Sequence, residues 1–340
     1  MTAAVHTTDV AIIGAGPTGL FAVFECGMLK MSTAVVDTLD ILGGQCTALY
    51  PEKPIYDIPG HPAIDAGVLI ERLEQQAAPF KPTYFLGQQV ERLTRLEDGR
   101  FELATSKGVI LQTRAVVIAA GSGAFGPNRP PLAGIEAFEG TDVLYAVRRR
   151  EDFRGKRVVI AGGGDSAVDW AISLAEVAAS VQVVHRRPKF RAAPESASRL
   201  AALAEAGRVE LVIPYQLEGL EARADGRLGA VIVKQLDNST RRLEADVLLP
   251  FFGLAMTLGP IAEWGLGLER NHILVDPATC QTSEPGIFAI GDMATYKGKL
   301  KLILCGFSEA AMAAHAIHPL VFPGEALHFE YSTSKGVAAS

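Results

Sequence analysis

Residues 8–19 read Thr8-Asp9-Val10-Ala11-Ile12-Ile13-Gly14-Ala15-Gly16-Pro17-Thr18-Gly19, a short apolar strand running into the pattern GxGxxG. An apolar helical stretch from Leu20 to Leu29 follows, and the next strand, Thr33 to Val36, ends at Asp37. In such a strand–turn–helix unit Gly14 permits the tight turn, Gly16 lets the backbone approach a pyrophosphate, and Gly19 lets helix and strand pack closely. The phosphates then sit at a helix N-terminus, where free N–H groups and the helix dipole favour anions. Asp37 lies eighteen residues beyond Gly19, where a carboxylate accepts hydrogen bonds from an adenosine ribose.

The same device returns about 150 residues later. The strand Arg157 to Ala161 runs into Gly162-Gly163-Gly164-Asp165-Ser166-Ala167, the GxGxxA variant, and a helical pattern continues to about Ala178. Here the next strand, Val181 to Val184, ends in His185-Arg186-Arg187, with Lys189 and Arg191 just beyond. Arginines at that place pair with a ribose 2′-phosphate, so the second unit is predicted to take NADP rather than NAD. Its candidate residues are Gly162, Gly164, Asp165, Ser166, His185, Arg186, Arg187 and Arg191. Two dinucleotide folds call for two dinucleotides, and hydride transfer from a nicotinamide to a flavin is the chemistry that joins them. The first fold is therefore expected to hold FAD, with Gly14, Gly16 and Gly19 in its turn.

Between the two motifs Val90 to Gln112 alternates in strand fashion, and Ala115 to Gly121 reads as a strand returning to the first domain. Near the end, Ile287-Phe288-Ala289-Ile290-Gly291-Asp292 is a strand closing on Gly-Asp, followed by an apolar helix to about Ile317. The expected fold is α/β, with two Rossmann-like three-layer dinucleotide-binding domains, the NADP domain inserted into the FAD domain. Residues 1–120 form the first part of the FAD domain, 121–246 the NADP domain, 247–318 the second FAD part and 319–340 a C-terminal extension.

Composition sets the outer bounds. A length of 340 residues fits about two domains, and 49% apolar with 21% charged residues describes a globular chain. The longest uncharged apolar stretch, Val247 to Ala262, is broken by Pro250, Gly253, Gly259 and Pro260, so no membrane span is expected. Met1 to Thr8 has no secretory pattern, which makes the cytoplasm the expected location. The net charge of −6 gives no reason to expect nucleic-acid binding. Cys26, Cys46, Cys280 and Cys305 form neither CxxC nor CxxxxC, nor zinc-ligand spacing with the seven histidines, so no metal site is expected.

Taken with the late Gly-Asp motif, this order of motifs resembles the thioredoxin reductase-like pyridine nucleotide-disulfide oxidoreductases. Within them, Gly43-Gly44-Gln45, Leu49-Tyr50-Pro51-Glu52-Lys53 and the tail Tyr331-Ser332-Thr333-Ser334 resemble the type 2 ferredoxin–NADP reductases. The cysteines discriminate among relatives. Thioredoxin reductases carry a CxxC before the second glycine motif, whereas here Cys46 and Cys280 are consecutive and Leu144 to Arg149 stands in its place. Lipoamide-dehydrogenase-like enzymes place CxxxxC near the flavin, but here Pro51 occupies the second position, which leaves Cys46 as a packed residue. With no disulfide relay, electrons on the flavin leave directly to an acceptor, which the resemblance implies is ferredoxin.

The resemblance also implies an FAD site of Thr18, Asp37, Gln45, Tyr50, Val90, Phe125, Asp292 and Thr333. Tyr50 would stack on one isoalloxazine face, Asp292 would reach the ribityl or pyrophosphate region, and Val90 would contribute backbone atoms. The tail of a homodimer would lay the Tyr331 ring over the second face of the partner subunit's flavin. Hydride transfer needs alignment rather than a general acid or base, so none is nominated. An acidic ferredoxin calls for a basic surface, and two candidates are Lys297, Lys299 and Lys301, or the cluster Arg148, Arg149, Arg150, Arg154, Lys156 and Arg157. The competing readings are an NADPH-dependent diaphorase reducing quinones or free flavins, and a flavin-bound sensor whose NADP domain is regulatory.

Overall fold

The computed structural model describes residues 5–325, apart from the side chains at 124, 125, 127 and 254–256. Its α-helices are α1 (Pro17–Met28), α2 (Gln45–Leu49), α3 (Ala66–Ala77), α4 (Asp165–Leu174), α5 (Pro194–Glu205) and α6 (Ile303–Val321). One compact unit comprises the chain up to Phe125 and from Met256 onward; the other is Gly126–Ala255.

In the first unit Val5–Ile13 lies between Thr33–Val36 and Ile110–Ile118, parallel to both, and Thr83–Phe85 extends the sheet beyond Thr33–Val36. Ile110–Ile118 divides its far edge, pairing antiparallel with Phe101–Thr105 near its start and parallel with Ile287–Ala289 near its end. The stretches Val10–Ile13, Ala34–Val36 and Ala115–Ile118 are unbroken apolar runs rather than alternating because both faces are covered. Val10 and Ile12 pack with Val23 and Cys26 of α1 and Ala310, Ala313 and Ala314 of α6. Ala11 and Ile13 face the other way, into Val116, Ile118, Phe101 and Met293. The register pairs Ile13 with both Val36 and Ile118, and Ile118 with Ala289. Four parallel strands thus end level, and the loops leaving them collect at one carboxyl edge, where open α/β sheets bind ligands.

The second unit repeats the plan on a smaller scale. Its parallel sheet runs in the order Glu210–Val212, Ser180–Val184, Arg157–Ala161, Val247–Pro250. An antiparallel sheet of Gln216–Ala222, Leu228–Lys234 and Thr240–Glu244 shares its core, with Leu228, Val231 and Val233 packed among Val159, Val184 and Leu248. Asp142, only 1% exposed, joins the layers by accepting from the Arg227 guanidinium and from the Leu228 N–H (2.8 Å).

The boundary expected after residue 246 is corrected here. Val247–Pro250 pairs in register with Arg157–Ala161, Val158 opposite Val247, and is the fourth strand of the second unit's sheet. Burying Val247, Leu248 and Leu249 there removes them almost wholly from water, and the unit runs on to Ala255. The chain passes from one unit to the other after Phe125 and returns after Ala255. Among the described residues no helix is long and apolar enough to cross a membrane.

Candidate functional site

At the carboxyl edge of the first unit's sheet lies a cleft of about 1130 Å³ including its open mouth. Gly14, Gly16, Thr18, Asp37, Gln45, Tyr50, Val90 and Asp292 all line it. Gly14 adopts φ +114°, and a Cβ there would lie 2.3 Å from the Ala119 carbonyl oxygen, so only glycine makes this turn. Gly19 stands outside the lining, beneath the turn, where a Cβ would fall 2.0 Å from the Gly14 oxygen. A Cβ on Gly16 would meet nothing within 4 Å. The N-terminus of α1 carries no side-chain cap and no acid in its first turn, leaving its N–H groups open to an anion. α6 also starts without a side-chain cap, at Leu302 and Ile303 in the same lining. These features suit a phosphate-bearing dinucleotide.

Asp37 anchors the turn, accepting the Ala15 N–H (2.6 Å) and the Leu39 N–H (2.8 Å). Burial outweighs these donors and pushes its carboxyl above the usual carboxylate range. Tyr50 closes α2 with its hydroxyl 4.0 Å from the Cys46 sulfur, and the Lys53 ammonium lies 5.8 Å from its ring centroid. Burial raises the Tyr50 phenol far above its ordinary value and the Cys46 thiol to about 11, so both stay protonated near neutrality. Val90, 3% exposed, opens the strand Val90–Arg95. The Phe125 side chain, Tyr331 and Thr333 lie outside the described residues.

The lysines behind the Gly-Asp turn do not act alike. Lys297 and Lys301 are exposed, beside the exposed Leu300 and Leu302. The Lys299 side chain is only 5% exposed and pairs with Glu309, so it is removed from any docking surface. Glu309, 1% exposed, also accepts the Gly291 N–H (2.8 Å) and the Tyr296 hydroxyl (2.7 Å). Sequence reasoning missed Glu309, although a solitary acid in the apolar stretch Ile303–Ile317 was a usable signal. The other basic cluster is largely neutralised: Arg149 pairs with Asp152, Arg150 with Glu176, Arg154 with Glu151, and Arg157 with Asp246 and Glu244.

The second unit has its own cavity, lined by Gly162, Gly163, Gly164, His185, Arg186 and Arg191 among others, at the uncapped start of α4. Asp165 does not face it: its carboxylate accepts the Ala193 N–H (2.8 Å), while the Arg191 N–H donates to the Gly163 oxygen (2.6 Å). Together these bonds tie the arginine loop to the glycine turn. Ser166 and Arg187 are exposed and stand outside the lining. The His185 ring, 7% exposed, stacks on Phe190 (centroids 5.3 Å apart) beneath Gly163, where a Cβ would fall 2.2–2.5 Å from three ring atoms. Burial, with repulsion from Arg191, Arg186 and Arg187, holds this imidazole below its usual value, and its buried Nε2 meets no partner among the described residues. Such a cavity, cationic at its rim and open at a helix N-terminus, fits a second phosphate-bearing ligand.

Comparison with known proteins agrees with this geometry. A ferredoxin–NADP reductase of Paramagnetospirillum magneticum is 67% identical over 332 residues, covering 98% of each chain. One from Rhodospirillum rubrum is 64% identical over 333 residues, covering 97% of this chain and 96% of its own. In structure, the thioredoxin reductase of Lactococcus lactis superposes with a TM-score of 0.79 at 23% identity, over 93% of this chain and 99% of its own, a likeness of fold. The model of the pyridine nucleotide-disulphide oxidoreductases matches residues 8–314. With both glycine turns inside that match and relatives alike along nearly their whole length, this chain belongs to the pyridine nucleotide-disulphide oxidoreductase family.

Proposed function

We propose that this protein is a ferredoxin–NADP(+) reductase that holds FAD in the cleft of the first unit and NADP(H) in the cavity of the second. The observation that carries the reading is identity of 57–67% along nearly the full chain to eight proteins of that name. When bound, FAD supplies the chemistry that joins the two partners, because it takes up two electrons as a hydride and releases them singly. The chain's own residues bind and orient. The open N–H groups of α1 take the pyrophosphate, Asp37 holds the turn and offers its remaining acceptor positions to the ribose, and Tyr50 gives the ring a flat wall beside Asp292. In the second unit the start of α4 takes the other pyrophosphate, and Arg186 and Arg191 meet the 2′-phosphate.

No side chain needs to move a proton during transfer, and the protonated thiol of Cys46 is poorly suited to a nucleophile's role. The resemblance further implies a cytoplasmic homodimer in which Tyr331 covers the partner subunit's flavin. For docking, the exposed Lys297 and Lys301 share one short segment with the exposed Leu300 and Leu302, offering positive charge beside apolar surface to an acidic iron–sulfur protein.

Anaerobic stopped-flow tests this: the holoprotein is reduced with NADPH and mixed with oxidised ferredoxin or with a quinone while flavin absorbance is followed. Fast reoxidation by ferredoxin, slowed by salt and by Lys297→Glu/Lys301→Glu, is the expected result. Slow transfer to ferredoxin with fast loss of electrons to the quinone would establish a small-molecule diaphorase instead.

A further inference from the structure

We propose that Glu309 is a positioning residue for the flavin site: from within α6 it fixes the Gly291–Asp292 turn and draws the loop behind it inward through Tyr296 and Lys299. The inference rests on the reading of the first cleft as the FAD site. Glu309 Oε2 accepts the N–H of Gly291, a residue held at φ +70°, and so anchors the turn from which Asp292 enters the cleft lining. Its Oε1 takes the Tyr296 hydroxyl and the Lys299 ammonium, closing the segment 291–299 on one carboxylate. One turn earlier on α6, Gly306 abuts Thr18 so closely that a Cβ would lie 2.4 Å from its Oγ1. α6 therefore locks two of the cleft's walls at once, Thr18 by contact and Asp292 through the Glu309 network.

A buried ion pair is weak evidence for stability, because desolvating both charges offsets most of their attraction, and an apolar pair of like volume often serves as well. What three donors converging on one carboxylate do impose is geometry. Leucine or methionine at these positions would fill the space but would leave the Gly291 N–H without its acceptor, and the turn free to settle elsewhere.

The test uses the full chain, stripped of flavin and titrated with FAD by fluorescence quenching, for wild type, Glu309→Gln, Lys299→Met, the double variant and Tyr296→Phe. Melting of the flavin-free protein and affinity for 2′,5′-ADP at the second unit serve as parallel readouts. Glu309→Gln, which faces an amide toward the Lys299 ammonium, is expected to weaken FAD about tenfold or more and to alter the visible circular dichroism of the bound flavin. Affinity for 2′,5′-ADP should stay within about twofold, and the double variant, which removes the stranded charge, should recover much of the loss. A merely structural role would lower the melting temperature and leave the FAD affinity and flavin spectrum of the folded protein unchanged, and that result overturns the proposal. If Glu309→Gln fails to fold, unchanged FAD affinity in both Tyr296→Phe and Lys299→Met overturns it. A wild-type chain that takes up no FAD would refute the assigned cofactor instead.

Discussion

Replacing Gly163 by alanine places a methyl group inside the His185 ring. A Cβ at this position would lie 2.2 Å from Cε1, 2.4 Å from Nε2 and 2.5 Å from Nδ1, against an ordinary contact of 3.4–4 Å. The imidazole must therefore retreat by roughly 1 Å or more, and it has little room to do so. It is 7% exposed, stacked on Phe190, and its backbone is pinned by His185 N–H to Val212 O (3.2 Å) and Tyr215 N–H to His185 O (3.0 Å). Overpacking of this kind costs about 1–3 kcal/mol. Because the Arg191 N–H is bonded to the Gly163 oxygen, the displacement reaches the arginine loop. The variant should lose several degrees in the melting of the second unit and bind NADP(+) up to about 5- to 150-fold more weakly, as that free energy converts. FAD affinity serves as the internal control. Gly164→Ala is the matched comparison, since its Cβ meets nothing within 4 Å: it should melt like wild type yet lose affinity for the ligand. His185→Ala should partly rescue Gly163→Ala by removing the obstruction. Wild-type melting and NADP(+) affinity in Gly163→Ala, or a double variant no better than the sum of the single losses, would refute the reasoning.

Arg191→Ala and Arg186→Ala should each raise KM for NADPH about 10- to 100-fold with little effect on NADH, since each removes a charge-assisted bond to the 2′-phosphate; an unchanged NADPH/NADH ratio would dismiss the arginines as phosphate ligands. Arg227→Ala should lower the midpoint of denaturant unfolding, because Asp142, 1% exposed, loses its cation. The loss should fall short of that for a fully buried pair, because Asp142 keeps the Leu228 N–H while the lost guanidinium is 53% exposed and its place admits water. Asp246 is held down to about 2 by the Arg157 guanidinium, so it contributes stability above the unfolded-state value near 4 that is lost as pH falls toward 2. With a side chain 23% exposed, that contribution is about 1–2 kcal/mol after screening, and Asp246→Asn should flatten the acid limb of the stability curve over this window.

Local chemistry made most of the frame legible. Gly14 takes a backbone conformation, φ +114°, that favours glycine, and Gly19 packs against the Gly14 carbonyl five residues earlier, so the spacing carries most of the strand–turn–helix unit, although Ala119, which also crowds Gly14, comes from the neighbouring strand. The contrast between Asp37 and His185-Arg186 is likewise written at the end of a single strand. The apolar runs Val10–Ile13 and Val158–Ala161 mark strands buried on both faces, and the order of cysteines by itself excludes a CxxC relay.

What the sequence could not decide depends on partners distant along the chain. Val247–Pro250 reads equally as the end of one domain or the start of the next until its pairing with Arg157–Ala161, ninety residues away, assigns it to the second unit. Lys297, Lys299 and Lys301 are indistinguishable as alternate lysines; only Glu309, brought by α6 against the Gly-Asp turn, pulls the middle one inward and leaves the other two exposed. Asp165 looks like a ligand residue at a helix start, yet the fold of the arginine loop turns its carboxylate onto Ala193. Backbone turns are set by sterics within a few residues and can be read from the sequence. The sign and exposure of a side chain at the site are set by which distant group meets it, and that is decided only in the folded molecule.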